Sequence, residues 1–125
     1  MAAPQLKIVT SAADAKRPVI EIAGVSKTYR TRDGEVPSLR PLDFSVDQGE
    51  FLVVVGPSGC GKSTLLKMLA GLLPPSAGEI RVQGRVVTRP HSDVGIVFQS
   101  PLLLPWRSVF QNVMMPVEVK GLPRK

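Results

Sequence analysis

An α/β fold, in which an antiparallel β layer precedes a strand–loop–helix core, is the architecture predicted by this 125-residue sequence. Three observations point to it. Phe51-Leu52-Val53-Val54-Val55 is an apolar run of strand length that leads into Gly56-Pro57-Ser58-Gly59-Cys60-Gly61-Lys62-Ser63-Thr64 and then a leucine-rich stretch of helical spacing. Before it, Val19 to Val46 holds short alternating segments separated by turn residues, the pattern of a half-buried sheet. Val94-Gly95-Ile96-Val97-Phe98 is a second apolar run, suited to a central strand covered on both faces.

The elements follow in order. Met1 to Pro18 is mixed in character and reads as a loosely ordered, disordered tail, so the domain is expected over 19–125. Val19 to Ile22 reads as one strand and Gly24 to Arg30 as a second short one, with a turn at Arg32-Asp33-Gly34-Glu35. Leu42 to Val46 alternates as a half-buried strand and Asp47-Gln48-Gly49-Glu50 closes it. Phe51 to Val55, apolar at every position, is expected to be covered on both faces. A helix from about Lys62 to Leu73 would place Leu65, Leu66, Met68, Leu69 and Leu72 on one broad apolar face, with Pro74-Pro75 ending it. Glu79 to Val87 reads as two short strands about Gly84, and Val94 to Phe98 as a buried strand that delivers Gln99 at its C-terminal end. Ser108 with Gln111 forms a capping box, so a helix starts at Val109 and runs until Pro116 disturbs it.

The glycine-rich segment carries the chemistry. Gly56, Gly59 and Gly61 permit backbone angles and close approaches that a side chain would block, so the N–H groups of Ser58-Gly59-Cys60-Gly61 and the following turn can face an anion, with Pro57 shaping the loop. Lys62 supplies a mobile ammonium for β- and γ-phosphates, the Ser63 hydroxyl can ligate Mg²⁺, and Thr64 adds a donor in the first helical turn. The helix N-terminus points its dipole at the same phosphates. A random chain of this length would match the four fixed positions in roughly one case in several hundred, before the flanking strand and helix are required as well. Thr64 stands where a dinucleotide-binding fingerprint needs its third glycine, which excludes that reading. A protein-kinase loop does not carry its lysine and hydroxyl directly after the last glycine.

Bulk properties bound the rest. The net charge is +6, but the basic residues are spread from Lys7 to Lys125 without a dense run, the pattern of solvated surface and not of a nucleic-acid interface. The single cysteine, Cys60, cannot close an internal disulfide and suits a reducing compartment. Its backbone matters to the cradle, although a thiol beside a helix N-terminus and a lysine is also placed for redox sensing. No run of 18 apolar residues reads as a membrane span. His91, beside Pro90, Ser92 and Asp93 in a loop, is assigned no ligand or catalytic role.

Taken together, Tyr29, Gly56 to Thr64, Leu72-Leu73-Pro74-Pro75-Ser76-Ala77-Gly78-Glu79-Ile80 and Val97-Phe98-Gln99 resemble the ATP-binding subunit of ABC transporters, over about Val19 to the end. The resemblance implies a P-loop NTPase core with ATP and Mg²⁺ as cofactors, Tyr29 stacking on adenine, and Lys62 and Gln99 acting catalytically. In it Ser63 and Gln99 contact the metal, and Gln99 also reaches the attacking water. It further implies a transmembrane permease subunit, a second ATP-binding subunit in a homodimer, and an external substrate-binding protein acting indirectly. Its setting is peripheral, at the cytoplasmic face of a bacterial inner membrane. Pro101 to Val113, with Trp106 and Arg107, is most similar to importers for nitrate, sulfonate, taurine and related small anions. A proline-bracketed apolar loop of this kind also suits a docking surface for another protein.

Some of that family's pattern has no counterpart here. The Leu-Ser-Gly-Gly-Gln type signature, the Asp-Glu strand that supplies a catalytic carboxylate, and the switch histidine do not occur, and Glu118 is the sole acidic residue after Gln99. The expectation is therefore the N-terminal half of an ATPase, cut before the helical subdomain and the second half of the sheet, and inactive in hydrolysis by itself. It could serve instead as a non-hydrolytic module that holds nucleotide or docks on the permease. Strands lacking neighbours would leave exposed edges, so poor solubility or a partly molten state is expected, and a sharp unfolding transition with low dye binding would contradict it.

Overall fold

The computed structural model describes residues 6–10 and 18–123, which fall into two compact units, Met1–His91 and Ser92–Lys125. In the first unit the antiparallel layer expected from the alternating segments is present as a four-stranded sheet. β2 (Pro18–Thr31) and β3 (Gly34–Asp47) are each 14 residues long and form a hairpin from Pro18↔Asp47 to Thr31↔Gly34. The two short strands expected before Arg32 are thus one strand. Irregular register between Ile22 and Val25 absorbs the break at Gly24, whose φ is 59° and whose N–H donates to Asp43 Oδ1. β5 (Ala77–Val82) lies on the other side of β2, and β6 (Arg85–Val86) returns through a two-residue turn at Gln83-Gly84. Both turn residues have positive φ, as a twist-matched hairpin turn requires.

β4 (Leu52–Val55) pairs antiparallel with β1 (Lys7–Thr10), in register from Lys7↔Val55 to Thr10↔Leu52. Residues 7–10 belong to the stretch expected as a disordered tail, so that expectation is corrected there, while 1–5 and 11–17 lie outside the described residues. The expectation that Phe51 to Val55 would be covered on both faces also fails. β1 is the sole strand partner of β4 among the described residues, and Val53 and Val55 remain about two-fifths exposed.

α1 (Lys62–Leu69) packs Leu65 and Met68, both fully buried, against Ile22, Val25, Leu39 and Ile80 of the sheet. That cluster is the core, and it fixes the helix next to the loop that precedes it. The apolar face is narrower than the sequence suggests, because Leu66 points off the stripe and Leu72 lies past the helix end, leaving both half exposed. Nor do the prolines end α1. Gly71, at φ 70°, donates its N–H to Met68 O while the Leu72 N–H reaches Lys67 O, a pair of bonds that closes the helix with a left-handed residue. Beyond it, Lys27 Nζ donates to Pro74 O and Ser76 Oγ bonds both the N–H and the carbonyl of Thr28, tying the helix-to-β5 connection to β2.

In the second unit α2 (Val109–Val119) begins at Ser108 with the full capping box to Gln111. Pro116 lies inside α2 without ending it. It removes one N–H from the helical ladder while its own carbonyl still accepts from Lys120 N, and the left-handed Gly121 terminates the helix. Asn112 holds the preceding loop: its Oδ1 accepts from Leu104 N and its amide donates to the carbonyls of Leu104, Arg107 and Ser108. The strand expected over Val94 to Phe98 is absent. A strand needs a paired edge, this segment has none among the described residues, and Val97 is 96% exposed.

Candidate phosphate-binding site

The loop Gly56 to Gly61 joins β4 to α1, and two glycines set its shape. Gly59 has φ 80° in open space, whereas Gly61 has φ 98° and lies so close to β3 that an added Cβ would be 2.6 Å from Ser38 O and 2.9 Å from Leu39 Cδ1. Gly61 is the N-cap of α1, and its carbonyl accepts the first helical bond from Leu65 N at 2.8 Å. A glycine cap offers no side-chain acceptor to the first turn, and the turn contains no acidic residue. The N–H groups of Lys62, Ser63 and Thr64 are therefore left without a partner among the described residues, available to an anion.

The side chains add to this. Lys62 folds back over the loop, its Nζ donating to Gly56 O and Pro57 O at 2.7 Å each and standing 3.6 Å from Cys60 Sγ. Its ammonium is thus held against the loop by the carbonyls of Gly56 and Pro57. Cys60 is buried, its N–H directed at Pro57 O, so it serves the turn through its backbone. Ser63 is exposed and its hydroxyl makes no bond among the described residues. Thr64 differs: its hydroxyl bonds Ser38 Oγ at 3.2 Å, which ties the helix start to β3 and leaves its backbone N–H as its contribution to the cradle.

The residues present suit a phosphate group flanked by a hard cation. Backbone donors, one ammonium and one hydroxyl with no bond among the described residues all belong to this loop and the first turn of α1, and the missing Cβ at Gly61 lets that helix start seat against Ser38 and Leu39 of β3. Tyr29 lies in the same unit on β2, its ring 38% exposed with Lys27 Nζ 5.5 Å above one face. Gln99 lies in the second unit, exposed and in loop, so the strand end that was to deliver it is not formed. The sequence reading missed Ser38, which braces Gly61 and Thr64 from a strand 23 residues before the helix cap; nothing in its local pattern marks it.

A family model described as ABC transporter matches residues 39–124, from the strand beside the loop to the end of α2 and beyond. The chain belongs to the ABC transporter family. Among its relatives, the taurine import ATP-binding protein TauB of Burkholderia pseudomallei is 44% identical over 100 residues, covering 80% of this chain and 38% of the relative. The bicarbonate transport ATP-binding protein CmpD of Synechococcus elongatus is 43% identical over 101 residues, covering 81% and 36% respectively. The nitrate import ATP-binding protein NrtD of a Synechocystis species is 41% identical over 106 residues, covering 85% and 40%. This ABC chain therefore spans about two-fifths of the length of the curated relatives it matches. A dimeric ATP-binding cassette, MJ0796, bound to ADP and Pi in a post-hydrolysis state, superimposes with a TM-score of 0.71 at 26% identity, over 85% of this chain and 50% of that one. No helix among the described residues is long and apolar enough to cross a membrane.

Proposed function

We propose that this ABC chain is the nucleotide-binding part of an importer for small anions of the nitrate, sulfonate or taurine type, coupling ATP hydrolysis to transport in the full-length protein. The observation that carries the reading is the uncapped start of α1 facing a loop over which Lys62 is already poised. MgATP would supply a hydrolysable anhydride whose charge the metal partly neutralises. The free N–H groups of the first turn and the Lys62 ammonium would hold the β- and γ-phosphates, and Ser63 would offer its hydroxyl to the metal. Tyr29 would stack on adenine with the ring face that Lys27 does not occupy. Gln99 is assigned to the metal and the attacking water on family resemblance alone.

The same reading gives the chain a permease partner, a second ATP-binding subunit and, indirectly, an external substrate-binding protein, at the cytoplasmic face of a bacterial inner membrane. Relatives named for taurine, bicarbonate and nitrate support the anion class. Uptake of radiolabelled taurine, nitrate and bicarbonate by the source cell with and without the gene tests it. Loss of one of the three is the expected result, and unchanged uptake of all three with loss of an unrelated solute would overturn the anion class.

Residues 1–125 alone are proposed to bind nucleotide without turnover. Hydrolysis needs a carboxylate to position or deprotonate water, and neither the loop nor the first turn of α1 offers one. Steady phosphate release by the purified 125-residue chain, retained after removal of any longer form, would contradict that proposal.

A further inference from the structure

The β5–β6 hairpin and the segment after it line a surface depression of about 260 Å³, with Val82 at its buried side and Arg85, Thr88, Arg89 and His91 among its polar lining. Its volume lies below the range usual for drug-sized ligands and suits a small ion with a few waters. No acidic residue lines it. Two of the lining residues are arginines, and neither Arg85 nor Arg89 has an ion pair or side-chain hydrogen bond among the described residues. The neighbouring arginine of the same hairpin shows what satisfaction would look like: Arg81 Nε bonds Glu79 Oε1 at 2.7 Å and its Nη1 reaches Gly84 O. Arg85 and Arg89, both exposed, thus bring two positive charges to one depression whose lining holds no carboxylate, and neither has an ion pair among the described residues.

The wall of the depression is also held in place. Gly71, the residue that ends α1, lies so close to the backbone of Arg89 and Pro90 that an added Cβ would stand 2.3 Å from Arg89 O. Arg85 is fixed from the other side by its register with Val82 in the hairpin. Two guanidinium groups on anchored backbone can offer paired N–H donors to the oxygens of a planar or tetrahedral anion, which an ammonium cannot match. Thr88, whose side chain carries a hydroxyl, also lines the depression.

We propose that Arg85 and Arg89 form a binding site for a small free oxyanion, separate in residues from the phosphate loop and independent of its nucleotide chemistry. Sulfate is the probe. Isotope-labelled chain is titrated with sodium sulfate against sodium chloride at constant ionic strength, and the side-chain N–H signals of Arg85 and Arg89 are followed, with exposed Arg40 as reference. Amide signals of Gly59 and Gly61 report the phosphate loop in the same spectra, so failure at one site is distinguished from failure at the other. Saturable shifts at Arg85 and Arg89, absent at Arg40 and weakened about tenfold or more by either Arg85→Gln or Arg89→Gln, are expected. Linear shifts equal to those of Arg40, or saturation that survives the double substitution in a chain whose amide spectrum is otherwise unchanged, would overturn the proposal. So would sedimentation with phosphatidylglycerol vesicles that the double substitution abolishes while sulfate gives no saturable response, since that result assigns the arginines to lipid headgroups.

Discussion

Gly59 and Gly61 separate two contributions that a glycine can make. Both have positive φ, so alanine at either position incurs the left-handed penalty of about 1–2 kcal/mol, partly offset by a less flexible unfolded chain. Their surroundings differ: a Cβ at Gly59 meets nothing within 4 Å, whereas one at Gly61 meets Ser38 O at 2.6 Å and Leu39 Cδ1 at 2.9 Å. Leu39 belongs to the core and Ser38 O is backbone, so neither can swing aside. Relief requires α1 to move from β3, which strains the packing of Leu65 and Met68 and costs about a further 1–3 kcal/mol. Gly59→Ala should therefore lose about 1 kcal/mol and Gly61→Ala about 2–5 kcal/mol. Urea unfolding followed by far-ultraviolet circular dichroism compares the two; Trp106 fluorescence would report the second unit instead. Equal losses, within about 0.5 kcal/mol, would refute the close seating of α1 on β3.

Other positions give independent checks. Leu65→Ala, at a fully buried site, should cost about 2–5 kcal/mol in the same unfolding assay, whereas Leu66→Ala, half exposed on the next position, should cost less than about 1.5 kcal/mol. Gln83 is the one non-glycine among the described residues with positive φ, so Gln83→Asn should raise stability by a few tenths to about 1 kcal/mol, read as a higher urea midpoint at unchanged slope. Asn112→Ala removes the acceptor for Leu104 N, and amide exchange at Leu104 should speed about tenfold or more while amides of β2 stay unchanged.

What the sequence shows and what it hides divide along physical lines. The turn from Gly56 to Lys62 was legible as a turn because its residues are tied to one another by local backbone geometry: Gly59 and Gly61 have positive φ, and Lys62 bonds within its own loop. The capping box at Ser108 and Gln111 was legible for the same reason. Long-range pairing was not. Nothing in Lys7-Ile8-Val9-Thr10 announces that it will pair with β4, because a four-residue strand gains its stability from the partner edge and not from its own pattern. Val94 to Phe98 is the converse case, an apolar run that reads as a strand yet stays unpaired among the described residues. The end of α1 was misplaced because Pro74-Pro75 is a loud signal and Gly71, which closes the helix, sits where a helical glycine is also tolerated. Ser38 could not be found at all, since its bond to Thr64 depends on the fold bringing β3 against the helix start.

The central claim is that residues 56–64 bind a nucleotide through its phosphates. Calorimetric titration of the chain with MgATP and with adenosine, before and after Lys62→Ala, tests it most directly. ATP should bind and adenosine should bind far more weakly, with Lys62→Ala lowering ATP affinity about tenfold or more while leaving adenosine unchanged. Equal affinities for ATP and adenosine, or an ATP affinity indifferent to Lys62, would contradict the claim.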